Sequence, residues 1–366
     1  MPDRDQGTSR DVDLDDEVYV VDTRGRRRPR EARSGRRSSE PSHRRRRVVV
    51  GAVVLLVAWL AFMVWVPFNA WGDVHRVSAD PTGARPAASK GHDYVLVGSD
   101  SRQGLTPEQQ KQLNTGSVKD AGGLRTDSII LVHVPSGAGK PALISLPRDS
   151  YVPIPGHGHN KINAAYSLGG PKLLVKTIEQ VTGVRIDGYV EIGFAGFASV
   201  VDSLSGVDIC VKHTMKDAYA GINLKAGCQN LDGRNALGYV RARYSDPRGD
   251  IGRVERQRQF LGAIMHKAVS PSTVLIPWRY YAFSTSAGAG LTVGQDVTLR
   301  DVTRVLQAMR TVSGGDGLSL TVPVSNTGLA TNVGSAVKWD TPKAVELFNA
   351  IKNDTPLTVA PAGSGG

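Results

Sequence analysis

The chain has 366 residues, 45 Lys+Arg against 34 Asp+Glu, a formal net charge of +11, and two cysteines. A hydrophobic content of 40% is enough for a sizeable core and excludes a wholly disordered chain. Two cysteines exclude a disulfide-dense scaffold and a four-cysteine zinc module, and the excess of cations points to an anionic partner.

The charge is unevenly spread. Residues 1–23 hold eight acids against Arg4 and Arg10, while residues 24–47 hold twelve arginines against Glu31 and Glu40. Neither stretch has apolar periodicity, so residues 1–47 are expected to be a disordered tail. Next comes an uncharged apolar run of twenty-one residues, 48–68. At 1.5 Å per residue it spans about 30 Å, the thickness of a bilayer's hydrocarbon core. The preceding basic stretch is far too long for the leader of a cleaved signal peptide, and no small-x-small cleavage site follows. The run therefore reads as a transmembrane signal anchor, with Trp65 and Trp71 near its distal end as interfacial anchors. Arg44 to Arg47 hold the N-terminus in the cytoplasm and put everything after about residue 70 outside, giving a single-pass cell-membrane protein. This position explains the arginine arm through topology and contact with anionic membrane lipid, and no nucleic-acid partner is expected.

Residues 69–91 are rich in Pro, Gly, Ala and Ser and read as a linker; the folded domain is expected over 92–355, with a flexible tail at 356–366. Short β-branched runs predict strands over 93–98, 128–134, 142–146, 189–192 and 207–211. Helical patterns fall over 163–168, 172–182, 194–204, 235–242 and 251–268, and then helix, strand and helix over 299–312, 318–323 and 341–353. Interleaved strands and helices predict an α/β fold, a three-layer α-β-α sandwich with a central mixed sheet, preceded by one N-terminal transmembrane helix. Cys210 and Cys228 have seventeen residues between them; outside the cell they form either a disulfide or a pair of buried thiols.

Arg and Asp residues gather at the ends of the predicted elements. Asp100 and Arg102 follow the first strand, Arg125 and Asp127 precede the second, and Arg148 and Asp149 end the third. Arg241 and Arg243 close one helix, and Asp250, Arg253, Arg256 and Gln257 open the next. Asp250, Arg253 and Gln257 are three and four apart, so they share a helix face. In open α/β sheets sites gather at the carboxyl ends of strands. Arginine grips phosphate oxygens bidentately and stays charged, while carboxylates hold Mg²⁺ together with substrate phosphates. The set suits phosphoryl transfer from a diphosphate, the alternative being ordinary surface ion pairs. No P-loop, dinucleotide fingerprint or Gly-x-Ser-x-Gly elbow is present, and His157 and His159 have no acidic neighbour that would complete a metal site.

The segments DYVLVGSDSR, LRTDSIILVHV and ALISLPRDSYVPIPGHGHNKINAAYSLGG are followed in order by VDSLSGVDICV, LDGRNALGYVRARYSD and GDIGRVERQRQFL. Together, over about 93–268, they resemble the LytR-CpsA-Psr family of cell-wall glycopolymer ligases. The resemblance implies a phosphotransferase that moves a glycan phosphate from a polyprenyl-pyrophosphate carrier to peptidoglycan with Mg²⁺, or Mn²⁺ in its place. Carried over by position, Asp100 and Asp127 match the family's metal-binding aspartates. Arg125, Arg148, Arg241, Arg243 and Arg253 match its pyrophosphate-contacting arginines, and Asp149 is placed to orient an arginine or act as a base. Arg102, Arg256 and Gln257 fall in the same motifs as substrate contacts. The family's lipid tail lies in an apolar tunnel, for which Ile192, Phe194, Phe197, Val200, Val201 and Leu204 are candidate linings or ordinary core. The alternatives are a hydrolase of the carrier lipid and a non-catalytic lipid- or wall-binding regulator.

Overall fold

The structure, a computed structural model, describes residues 20–21, 27–28, 43–101, 105–115, 126–242 and 249–357. Contacts divide the chain into two units, Met1–Leu60 and Ala61–Gly366. In the first, β1 (Val20–Val21) pairs antiparallel with β2 (Arg27–Arg28), and α1 (His43–Trp71) begins. Within α1, Arg45–Trp71 is long and apolar enough to cross a membrane. Its valines and leucines between 48 and 60 are exposed, an arrangement that suits lipid rather than water as solvent.

The second unit is a layered α/β domain. Its first half runs β3 (His75–Val77), β4 (His92–Ser99), α2 (Pro107–Gln112), β5 (Thr126–Val134), β6 (Ala142–Leu146), β7 (Tyr151–Ile154), β8 (Gly158–Lys161), α3 (Ile162–Thr182) and β9 (Gly188–Ile192). A side lobe follows, from α4 (Phe194–Ser203) through β10 (Val207–Val211), β11 (Met215–Asp217), β12 (Ile222–Leu224), β13 (Gly227–Leu231) and α5 (Gly233–Arg241) to α6 (Gly249–Ala268). The chain then forms α7 (Pro271–Val274), α8 (Pro277–Gly290), β14 (Leu291–Gly294), α9 (Leu299–Ser313), β15 (Leu318–Thr321), β16 (Val324–Thr331), β17 (Gly334–Trp339) and α10 (Thr341–Asn353).

The central sheet has seven strands in the order β15-β6-β5-β4-β9-β14-β3 and is mixed, with β4 antiparallel to β5 and parallel to β9. Alternation along the strands feeds two cores. Val95, Val97, Ile129, Leu131 and Ile144 face one way, onto Leu174 and Ile178 of α3 and Leu347 and Ile351 of α10. Tyr94, Val132 and Leu143 face the other way, onto Val305, Ala308 and Met309 of α9. These are the three expected layers. The two helices expected over 163–168 and 172–182 are the halves of α3, broken where Gly170 takes a left-handed φ of 64° and Pro171 starts the second half.

The segment expected as a linker is bound to the domain. Helix α1 continues to Trp71, β3 pairs parallel with β14 at the sheet edge, and Ala79 is buried in the main core. Arg85 donates from Nη2 to Glu179 Oε1 at 2.7 Å and to the Ile186 carbonyl at 2.6 Å. Composition signalled flexibility here, but the arginine and a few small apolar residues suffice to dock the segment.

Cys210 of β10 lies directly opposite Cys228 of β13 and is bonded to it. In the chain-entropy model such a loop closure stabilises by about 3 kcal/mol. Cys210→Ser/Cys228→Ser is therefore expected to lower unfolding free energy by about that amount, read from denaturant titration, and non-reducing mass spectrometry should find no free thiol in the native chain.

At the end of the sheet where β5 finishes, His133 is 3% exposed, with Nδ1 2.8 Å from Asp93 Oδ1 and Nε2 3.2 Å from Asp354 Oδ1. Burial alone would lower its pKa, but the hydrogen bond and charge of Asp93, joined by Asp354, raise it above the ordinary value. A raised folded-state pKa gives stability that is fully present below the unfolded value and is lost as pH rises through the folded one. Thermal unfolding of the native chain should therefore fall as pH is raised from neutral, and His133→Gln should flatten that dependence.

Candidate functional site

The site is built on the ends of β4 and β5. Gly98 pairs with Ser128 and Ser99 with Thr126, so Asp127 is an extra residue with no partner in the ladder. A bulge of this kind re-aims a side chain away from the regular alternation. The freed carboxylate accepts from Arg148 Nη1 at 2.6 Å. Arg148 arrives because β6 pairs with β5, Leu146 opposite Ile129, and the chain then turns beside the bulge. Asp149 sits on the other side of this arginine, Oδ2 at 3.5 Å from Nε, and its Oδ1 lies 3.3 Å from Lys161 Nζ. Among the described residues, Arg148 Nε is a buried donor with no hydrogen bond. Leaving a buried donor unmet costs about 1–3 kcal/mol, and an incoming anion would remove that cost.

Asp100 follows Ser99 at the end of β4. Its loop is tied to α4, where the Phe194 amide donates to the Ser101 carbonyl at 3.2 Å. Gly193 makes that approach possible, since a Cβ there would come within 3.2 Å of the same carbonyl oxygen. Behind the loop stands Glu191 of β9, a carboxylate only 5% exposed. Tyr166 donates to its Oε1 at 2.8 Å and Tyr189 to its Oε2 at 2.6 Å. Burial, and then the Glu191 charge, push both phenols well above their ordinary pKa, so both remain donors. A charged residue inside the apolar run GYVEI was the sequence signal for this carboxylate, and motif matching passed over it.

Arg241 ends α5 with its guanidinium over the Phe194 ring, 4.7 Å from the centroid, and Nη1 donates to the Asn114 carbonyl at 3.4 Å. Gln257 and Arg256 are adjacent on α6 but point differently. Gln257 lines the cavity described below, whereas Arg256, 4% exposed, donates to the carbonyls of Tyr239 and Ala242 and so braces the end of α5 that carries Arg241. Arg102, Arg125 and Arg243 lie outside the described residues, as do the side chains of Asp250 and Arg253.

A cavity of about 450 Å³ runs from this corner into the domain. Asp127 and Arg241 are its charged lining residues, Ser99, Ser128, Gln257, Ser284 and Thr303 add polar groups, and apolar side chains such as Leu96, Ile130, Phe260, Leu261 and Met309 supply most of the rest. Of the candidate tunnel residues, Ile192, Phe194, Phe197 and Val200 line it, while Val201 and Leu204 belong to the core of the side lobe. A long apolar chamber with a few charges at one corner suits a ligand that is hydrocarbon at one end and anionic at the other. Among the described residues no three His, Cys, Asp or Glu side chains cluster as a metal site. Asp100 and Asp127 lie at the adjacent ends of β4 and β5.

The LytR_cpsA_psr family model matches residues 75–353. The chain is 41% identical over 307 residues to the "Probable cell wall biosynthesis protein LcpB" of Corynebacterium glutamicum, covering 83% of this chain and 69% of that one. It is 42% identical over 163 residues to "Regulatory protein MsrR" of Staphylococcus aureus, covering 44% of this chain and 49% of that one. Among solved structures it resembles "TagT bound to LI-WTA" with a TM-score of 0.54 and 26% identity, over 76% of this chain and 99% of the other. The "LytR-Csp2A-Psr enzyme from Actinomyces oris" shares the fold with a TM-score of 0.57 at 21% identity, over 76% and 97%.

Replacing Glu191 by Leu would strand two buried phenol donors. At about 1–3 kcal/mol each, Glu191→Leu should lower unfolding free energy by about 2–6 kcal/mol in denaturant titration, and Glu191→Gln, which keeps an acceptor, by less.

Proposed function

Because the chain belongs to the LytR-CpsA-Psr family, we propose that it is a membrane-anchored transferase that moves a glycopolymer phosphate from a polyprenyl-pyrophosphate carrier to peptidoglycan. The observation that carries this reading is the cavity, apolar along most of its wall and charged where Asp127 and Arg241 meet it. Its apolar length takes the polyprenyl tail, and the pyrophosphate lies at the charged corner. Beside that corner Asp127 and Asp149 hold the Arg148 guanidinium in place, and its Nε has no hydrogen bond among the described residues. Arg241, stacked on Phe194, supports a second oxygen from the opposite wall.

An acceptor hydroxyl oxygen then bonds to the glycan-side phosphorus as the bond to the departing polyprenyl phosphate breaks, and the hydroxyl proton passes to solvent. Charge neutralisation by fixed cations in an apolar chamber is the main contribution of the protein. Asp100 and Asp127 would hold Mg²⁺, with Mn²⁺ as a substitute, and when bound it would neutralise diphosphate charge. The basic residues Arg44 to Arg47 before the apolar run place the N-terminus in the cytoplasm and the domain outside.

The test incubates the full chain in micelles with a synthetic polyprenyl-pyrophosphate glycan, Mg²⁺ and peptidoglycan oligomers. Glycan attached to the oligomers supports the proposal. Free glycan phosphate points instead to a hydrolase, and no turnover at all points to the regulatory role for which the MsrR relatives are named. Arg148→Ala and Asp127→Ala should each slow transfer by about 100-fold or more with little change in unfolding temperature.

A further inference from the structure

The last turns of α1 do not leave the domain as a free stalk. Val66 and Ala70 are buried while Val64, Trp65 and Phe68 are exposed, so one face is docked. The partner is α8. Tyr280 Oη donates to the Met63 carbonyl at 3.1 Å, Tyr281 stacks on Trp65, and a Cβ on Gly288 would come within 2.2 Å of the Ala70 carbonyl oxygen. Advancing from 280 to 288 on α8 therefore matches advancing from 63 to 70 on α1. The two helices run parallel, each rising about 10–12 Å over the shared stretch.

This register sets a depth. The apolar run of α1 ends at Phe68, before Asn69, and Met63 lies five residues, about 7.5 Å, before that end. The start of α8, and the Leu275–Ile276 link that precedes it, must sit at the level of Met63. The chain there is built for such a place. Leu275 is 62% exposed and Trp278 72% exposed. Arg279 is the single charged residue in 268–295, long enough to reach back to an anionic headgroup.

We propose that the α7–α8 turn is a second membrane contact, with Leu275 and Trp278 inserted into the leaflet on the domain's side, next to α1. Tryptophan favours this interface because its ring is apolar and its N–H polar. The same helix turns Tyr280, Phe283 and Ala287 toward the cavity, whose wall also includes Pro67, Ala70 and Trp71 of α1. The contact thereby seats that wall at the membrane surface. The inference rests on α1 crossing a bilayer and is independent of transfer activity.

The full chain, reconstituted into phosphatidylcholine–phosphatidylglycerol vesicles, can carry a nitroxide on Trp278→Cys, Leu275→Cys, Val57→Cys or Val345→Cys, since the native cysteines are bonded to each other. Collision with oxygen reports lipid and collision with a nickel chelate reports water. Labels at 278 and 275 should favour oxygen, as at 57 in mid-helix, and reverse that preference relative to 345 on the exposed face of α10. Water-like exposure at both 278 and 275 with a lipid-like label at 57 overturns the proposal. Water-like exposure at 57 as well overturns it together with the anchor it rests on.

Discussion

The pairing of β4 with β5 is the constraint on which both the fold and the site depend. These strands lie at the middle of the sheet, and their long ladder, from His92 opposite Val134 to Ser99 opposite Thr126, carries hydrophobic residues for both cores. At one end the ladder slips by a residue, which frees Asp127 and lets Arg148 reach it. At the other it stays regular and holds Asp93 against His133 in a buried ionic cluster. A sheet that specifies its register so strongly through burial on both faces can carry one irregularity without losing alignment. That irregularity lies next to the charged lining of the cavity.

The charges at the site are arranged to stay paired without being used up. Arg148 is flanked by two carboxylates, yet its geometry leaves Nε unmet among the described residues. An arginine in an apolar chamber would be costly to bury alone, and the aspartates reduce that cost. A fully neutralised arginine would in turn have little left for a phosphate. The arrangement falls between these limits. Glu191 works in the same way behind the Asp100 loop, as a buried carboxylate satisfied by two tyrosines that burial keeps protonated.

Much of this was legible in the residues. The long apolar helix and the strands and helices around a central sheet follow from composition and periodicity, while the spacing of Cys210 and Cys228 left open a disulfide or two buried thiols, and the structure has the disulfide. What escaped depended on tertiary register. Strands β3 and β14 are three and four residues long, too short for an alternation to be seen, yet they complete the sheet edge. Helix α8 has apolar and small residues on all sides, so no stripe marked it. Its reason for that composition is its neighbours, α4, whose Gly196 meets Gly290, and α1, whose Ala70 carbonyl meets Gly288, which no local pattern could indicate. At the site, spacing brought Arg256 and Gln257 forward together, but consecutive helical residues diverge by about 100°. Only the packing of α5 on α6 shows that one braces a helix end while the other meets the cavity. The bulge at Asp127 likewise exists only as a mismatch between two strands.

The charge of the whole chain has to be read in parts. Its arginine-rich arm precedes the apolar helix. A smaller group of arginines, invisible in the total, is set among aspartates at the ends of strands and helices. Between the two groups, α1 does two things with one sequence. From Val48 to about residue 60 it is apolar all round, which suits lipid as solvent. From Val66 onward it becomes one-sided, burying Val66 and Ala70 against α8 while Trp65 and Phe68 stay exposed. Pro67, Ala70 and Trp71 of α1 line the cavity together with Tyr280, Phe283 and Ala287 of α8, so the end of the apolar helix and one wall of the cavity are the same residues.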